Sequence, residues 1–206
     1  MDIKYYNHLA LLGAHYSLKF DLLHPHEIVK TMEDQFDFVK YNPRKPIDRW
    51  GLSLTSLDGG MTGIPDLDSL FEYNKEHNTS YVEKDFIVQT PAYPYFTDVL
   101  HPFENYLFRT HILKLNPGGF FPPHRDDTRL NAFRLIVPLK NCNPPKVNFV
   151  LENKILNFEE GRLYFVDTVK MHYIFNASLD PSYWLVMNVK CNEKSVEQVL
   201  SSLKYK

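Results

Sequence analysis

The chain has 206 residues, 44% of them hydrophobic and 23% charged, a balance that suits one globular domain with a single sizeable core. A net charge of −2 supplies no field that would gather nucleic acid or an anionic membrane, and no stretch nears the roughly 18 apolar residues of a membrane span. Cys142 and Cys191 are the only cysteines; they make neither a disulfide framework nor a cysteine-based zinc site, so a reducing cytoplasm is the expected home.

Aromatic residues make up 15% of the chain, with 13 Tyr and 15 Phe against 8 Gly, which favours a β-rich body with large side chains between sheets. Leu9 to Ala14 is apolar but short, without a basic leader or a cleavage site, and does not read as a signal peptide. His24-Pro25-His26 reads as the start of a helix, with proline in its first turn. From His26 to Val39 the residues Ile28, Met32, Phe36 and Val39 recur at helical spacing. The Pro-broken run with Lys40, Arg44, Lys45 and Arg49 reads as a solvated loop. Trp50 to Leu57 reads as a strand ending in the turn Asp58-Gly59-Gly60, and a second, shorter helix is predicted after Pro65 on Leu67, Leu70 and Phe71.

After Tyr93, short runs of Phe, Val, Ile and Tyr alternate with Pro, Gly and Asn clusters, the pattern of a sandwich or jelly roll. Strands are predicted at Tyr106 to Leu115, Phe133 to Leu139, Val147 to Leu151, Lys154 to Phe158, Arg162 to Val166, His172 to Asn176 and Tyr183 to Lys190. Glu152-Asn153 and Glu159-Glu160-Gly161 are the turns between them. Ser195 to Leu203 reads as a closing helix, with Ser195 and Gln198 as its capping box. The expected fold class is mainly β (α+β). The expected organisation is one domain, with helical and strand support in 1–104, a β core in 105–191 and a C-terminal helix in 192–206.

His124-Arg125-Asp126 follows the turn Asn116-Pro117-Gly118-Gly119, and His172 comes 48 residues later. Residues two apart on a strand share a face, so His124 and Asp126 would point the same way, and a histidine from a neighbouring strand would complete two imidazoles and a carboxylate. That set leaves positions open on an octahedral ion, as non-haem Fe(II) oxygenases require. The tripeptide alone decides little, because a chain with nine His holds about one H-x-[DE] by chance.

Its context carries more. The order Pro94-Tyr95-Phe96, Arg109 to Gly119, His124-Arg125-Asp126, Arg134 to Leu139, Glu160-Gly161 and His172 resembles the aspartyl/asparaginyl β-hydroxylase family and its free-proline hydroxylase relatives, and Trp50 to Leu54 with Gly59-Gly60 is similar to the strand and turn before their core. The resemblance implies a double-stranded β-helix (jelly roll, cupin-like), Fe(II) held by His124, Asp126 and His172, 2-oxoglutarate as cosubstrate and O2 as oxidant. It implies hydroxylation of an unactivated C–H in a free amino acid or a peptide side chain.

Arg134 matches the arginine of the family's R-x-H-x-P strand and is expected to grip the far carboxylate of 2-oxoglutarate in a bidentate pair. Two departures stand out. Ile136 replaces the histidine of that motif, and the second arginine, about ten residues after the distal histidine, is absent, with Ser182, Tyr183 and Trp184 in its place. Arg109 and His111 are the expected helpers in the carboxylate grip. Arg125, Asp127 and Arg129 flank the ligands on a loop and are candidate substrate contacts. Asp167 is a candidate acceptor for an imidazole N–H, and Trp184 and Met187 read as core. Two other readings are kept: a cupin-type metal enzyme that does not use 2-oxoglutarate, and a small-molecule binding or sensing module that retains its metal.

Overall fold

A computed structural model describes residues 3–13 and 15–204. The amino-terminal part runs α1 (Ile3–Ala10), β1 (His15–Asp21), α2 (Pro25–Gln35), β2 (Val39–Lys40), β3 (Arg49–Ser53), β4 (Thr55–Ser56), α3 (Leu70–His77), β5 (Val88–Gln89) and α4 (Thr97–Leu100). The strands β6 (Leu107–Leu115), β7 (Phe120–His124), β8 (Ala132–Lys140), β9 (Val147–Leu151), β10 (Lys154–Leu156), β11 (Arg162–Val166), β12 (His172–Asn176) and β13 (Ser182–Lys190) follow, and α5 (Glu193–Leu200) closes the chain.

Two antiparallel sheets form the jelly roll that the family resemblance implied. The larger has the order β1-β11-β8-β13-β6-β3-β2 and the smaller β10-β9-β12-β7, with β4 and β5 paired apart from both. Strand alternation divides the larger sheet's side chains between two apolar clusters. On β13, Tyr183, Leu185, Met187 and Val189 face the helices, while Trp184 and Val186 face the smaller sheet. On β8 the corresponding sets are Phe133, Leu135, Val137 and Leu139 against Ile136. Both faces are covered, so β8 and β13 read as near-continuous apolar runs. The helix-side cluster takes in Leu9 of α1, Met32 of α2, Leu100 of α4 and Val199 of α5, so the helices back the larger sheet and leave the space between the sheets for the site.

Several boundaries differ from the sequence reading. α2 stops at Gln35, and Phe36 turns extended so that Val39 can pair with Gly51 of β3. α3 begins only at Leu70 and buries none of its residues; Phe71 is 81% exposed, and Leu67 packs on Gly51 before the helix starts. α5 begins two residues early, at Glu193, for a specific reason. The Asn192 side chain accepts from the Ser195 N–H at 3.0 Å while Ser195 Oγ accepts from the Asn192 N–H at 3.0 Å, so the capping box is Asn192/Ser195 and not Ser195/Gln198. The predicted strands leave out the two-residue β2 and β5, the edge strand β1, and β7, whose Pro122 and Pro123 argue against a strand unless it lies at an edge, where β7 lies. No helix among the described residues is long and apolar enough to cross a membrane.

Phe165, fully buried at the centre of β11, tests the helix-side core. Phe165→Ala is expected to cost about 3–5 kcal/mol of stability, seen as a lower urea midpoint with an unchanged slope.

Candidate metal centre

β7 lies antiparallel to β12 with His124 directly opposite His172, and the two ring centroids are 4.2 Å apart. Each imidazole is fixed in the same way: His124 Nδ1 lies 2.8 Å from the Pro122 carbonyl and His172 Nδ1 lies 3.0 Å from the Lys170 carbonyl. A carbonyl only accepts, so both Nδ1 atoms carry the proton and both Nε2 atoms present a lone pair. Burial above all, then the proximity of the second imidazole, lowers His172 below its ordinary value, which favours the neutral ring a metal needs.

Asp126 lies two residues past the end of β7 rather than on the strand as expected, and its position is set by other contacts. Its N–H donates to the Thr168 carbonyl at 2.9 Å, and its Oδ2 accepts from Thr168 Oγ1 at 2.7 Å and pairs with Arg134 Nε at 2.9 Å. Oδ1 is left facing His124 Nε2 at 3.6 Å. Burial alone would raise the Asp126 carboxyl, but Arg134, His124 and Thr168 outweigh it and hold the group well below the usual carboxylate range. One ligand atom from each of His124, Asp126 and His172 lies within 4.8 Å of the others, a donor set and spacing that fit Fe(II).

These three residues open into a cavity of about 230 Å³ whose walls include Arg109, His111, Arg134 and Asn188. Arg134 is therefore at the metal centre, with Nε already on Asp126. Arg109 has a left-handed backbone, φ 44°, at a register shift where β6 meets β13, and its side chain is fully engaged. Nε donates to the Asp66 carbonyl at 2.7 Å, Nη2 to the Asp68 carbonyl at 2.6 Å, and Nη1 pairs with Glu83 at 2.7 Å. His111 Nδ1 is bonded to the Arg109 carbonyl at 3.0 Å, so its free nitrogen accepts and does not donate.

The expected substrate contacts lie outside the cavity wall: Arg125, Asp127 and Arg129 are all exposed, and Asp127 is occupied in capping the turn Thr128–Leu130 and pairing with Arg129 at 2.7 Å. Asp167 accepts from Tyr6 Oη in a short hydrogen bond and not from an imidazole, whose N–H groups go to backbone carbonyls instead. Trp184 and Met187 are fully buried, as expected. The sequence reading missed Tyr41, Phe121, Asn188 and Arg49. Asn188 is the one with a legible signal, a polar residue inside an apolar strand; its Oδ1 is buried without a partner beside the cavity. Arg49, read as part of a solvated loop, is only 5% exposed.

A jelly roll with two imidazoles and a carboxylate on one cavity wall, among the sequence motifs described above, defines a non-haem Fe(II)- and 2-oxoglutarate-dependent dioxygenase. Residues 82–191, just over half of the chain, match the Aspartyl/Asparaginyl beta-hydroxylase family, and the chain belongs to it. This is a family of hydroxylases, which sets aside the readings as a cupin of other chemistry and as a binding module. Its cofactors are Fe(II) and 2-oxoglutarate. No curated protein sequence matches the chain. Among solved structures, HygX from Streptomyces hygroscopicus, with nickel, 2-oxoglutarate and hygromycin B bound, is 9% identical over 84% of this chain and 80% of its own, with a TM-score of 0.53, a likeness of fold. A Pseudomonas putida prolyl-4-hydroxylase is 11% identical over 94% of this chain and 100% of its own, with a TM-score of 0.48.

Two expected outcomes follow from the site. Thr168→Val removes a hydrogen bond from the buried Asp126 carboxylate, and Fe(II) affinity is expected to fall about 10–100-fold in an anaerobic titration while the unfolding transition stays cooperative. His111 concerns pH. Burial first, then the charges of Arg109 and Arg134, push it down to about 3. Between about pH 6.5 and that value the unfolded chain binds a proton here and the folded chain does not, so the stability this group contributes is complete above pH 6.5 and lost as pH falls. The loss is about 1.4 kcal/mol per pH unit, and His111→Gln should show a pH 6 to 4 stability slope shallower by that amount. Equal slopes in the two proteins would sink the assignment.

Proposed function

We propose that this dioxygenase holds Fe(II) through His124 Nε2, Asp126 Oδ1 and His172 Nε2 and hydroxylates an unactivated C–H of a free amino acid or a peptide side chain. One observation carries the ligand assignment: both Nδ1–H groups are tied to the carbonyl two residues earlier, which aims both Nε2 lone pairs at the cavity that Asp126 Oδ1 faces. When bound, Fe(II) and 2-oxoglutarate would, together with O2, supply the chemistry in which one oxygen atom goes into succinate as CO2 leaves and the other into the C–H bond.

The chain's own residues do the rest. Arg134 and Thr168 keep Asp126 ionised and pointed, leaving Oδ1 for the metal. Leu113, Ile136, Phe149 and Ile174 make the inner wall apolar and exclude water from it. A cavity of about 230 Å³ has to take the keto acid as well as the reacting carbon, which supports a substrate the size of one amino acid side chain. Asn188 Oδ1, an acceptor without a partner, supports a polar handle on that substrate.

Anaerobic addition of Fe(II) and 2-oxoglutarate to the metal-free protein is expected to give a weak visible charge-transfer band, abolished in His124→Ala and His172→Ala. On admitting oxygen, free L-amino acids and short peptides are offered separately, and succinate release is expected to rise with at least one set. A wild-type protein with no band, or with succinate release indifferent to both sets, would refute the corresponding half of the proposal.

A further inference from the structure

The family's second arginine is absent from this chain, where Ser182, Tyr183 and Trp184 stand in that stretch of β13. Ser182 is fully buried, its Oγ accepts from Trp184 Nε1 at 3.2 Å, and the indole packs on Phe149 and Phe158 with centroids 5.8 and 5.4 Å away. The bottom of the barrel is thus filled with aromatic side chains. Ser182 nonetheless pairs with Leu115 of β6, and Leu115 pairs in turn with Arg49 of β3. Directly opposite residues of an antiparallel sheet share a face, so Arg49 lies in the same row and on the same face as Ser182, two strands and about 10 Å across the sheet.

Arg49 has the properties of an unfilled anion receptor. It is 5% exposed, and its Nε and Nη1 have no hydrogen-bond partner. Among the described residues no carboxylate pairs with it; its guanidinium lies 4.2 Å from the Phe121 ring centroid and 4.9 Å from that of Tyr41. Aromatic faces hold the charge in place but supply no acceptor to a buried donor. Tyr41 and Phe121 also line the metal cavity, and the Phe121 ring is 4.9 Å from that of His124. Arg49 itself lines the adjoining outer cleft, which shares Tyr41 and Phe121 with the metal cavity. Of the cations in the metal cavity's own wall, all three nitrogen positions of Arg109 are engaged, Arg134 Nε is on Asp126, and His111 is neutral.

We infer that Arg49 receives the far carboxylate of the 2-oxo acid, taking over from β3 the contact that its relatives make from the strand after the distal histidine. The inference rests on the Fe(II) and 2-oxoglutarate reading of the site. The keto acid runs from the metal along the Phe121 and Tyr41 walls, and its carboxylate accepts from the unpartnered N–H groups of the guanidinium in a charge-assisted pair.

The test compares 2-oxoglutarate with 2-oxopentanoate, which has the same carbon chain without the far carboxylate, in anaerobic charge-transfer titrations of the Fe(II)-loaded protein. Wild type is expected to bind 2-oxoglutarate about tenfold or more tightly than 2-oxopentanoate, and Arg49→Met to lose that preference by weakening 2-oxoglutarate alone. Arg49→Lys, which keeps a charge but not the fork, is expected to fall between the two. An Fe(II) titration unchanged in both variants shows that the metal site has folded. A 2-oxoglutarate titration in Arg49→Met that superimposes on wild type overturns the inference and assigns the guanidinium to some other carboxylate, such as that of the substrate. Equal weakening of both keto acids overturns it too, as a purely structural role. If Arg49→Met fails to fold, wild type decides: no preference between the two keto acids rules out any far-carboxylate receptor, Arg49 included. No band in wild type with either acid brings down the cosubstrate reading itself, whereas a wild-type band with no Arg49 effect brings down this inference alone.

Discussion

The register of β7 on β12 is the constraint on which the metal centre depends, because it sets His124 opposite His172 on two strands that do not adjoin in sequence. That register contains an irregularity between His172 and Ile174, opposite the segment of β7 that holds Pro122 and Pro123. Neither proline has an N–H for the ladder, so pairing is interrupted there and resumes at His124. The same segment then supplies the Pro122 carbonyl that fixes the His124 ring, as Lys170 does for His172. A strand that would be poor in a sheet centre is useful at an edge, where its unpaired groups are free to orient ligands.

Around the triad, buried charge is balanced almost residue by residue. Arg134 neutralises Asp126 from β8, and Arg109 ties the Asp66 and Asp68 carbonyls and Glu83 to β6, closing one side of the cavity with the segment that precedes the barrel. Arg44 does the same further out, pairing with Asp68 and Glu76. Buried ions persist when geometry and hydrogen bonds are complete, which is so for Arg109 and not for Arg49. A guanidinium left incomplete in a protein that completes its neighbours points to a partner that comes and goes.

Much of the barrel was legible because its signals are local. Val147 to Leu151, Arg162 to Val166 and His172 to Asn176 have the predicted bounds, each being a short apolar run next to a turn such as Glu152-Asn153 or Gly161. Convergence of His124, Asp126 and His172 was legible from motif order, although Asp126 reaches its place through Thr168 and Arg134 and not through strand alternation. The misses have a common physical origin in long-range pairing. Helical spacing continues through Phe36 and Val39, but β3 recruits Val39 to the sheet and ends α2. Arg49 sits in a charged, Pro-broken segment whose composition says solvent. Its burial depends on rings contributed by Tyr41 and, far along the chain, Phe121, which no local window contains.

The departures from the family pattern make one coherent set when placed on the sheet. Leu113 pairs with Trp184, and Ile136, standing where the motif has a histidine, pairs with Val186; all four belong to the apolar packing between the sheets. The Trp184 indole packs on Phe149 and Phe158 in that space. Trp184 is thus part of what makes the inner wall apolar, and a carboxylate receptor in this row has to come from elsewhere. Leu115 cannot supply it, and β3, bound to the other side of β6, offers the next inward-facing position, which is Arg49. Ser182, in the stretch where the family's second arginine is absent, and the buried Arg49 thus lie in one row of the sheet, set by the register of β13, β6 and β3.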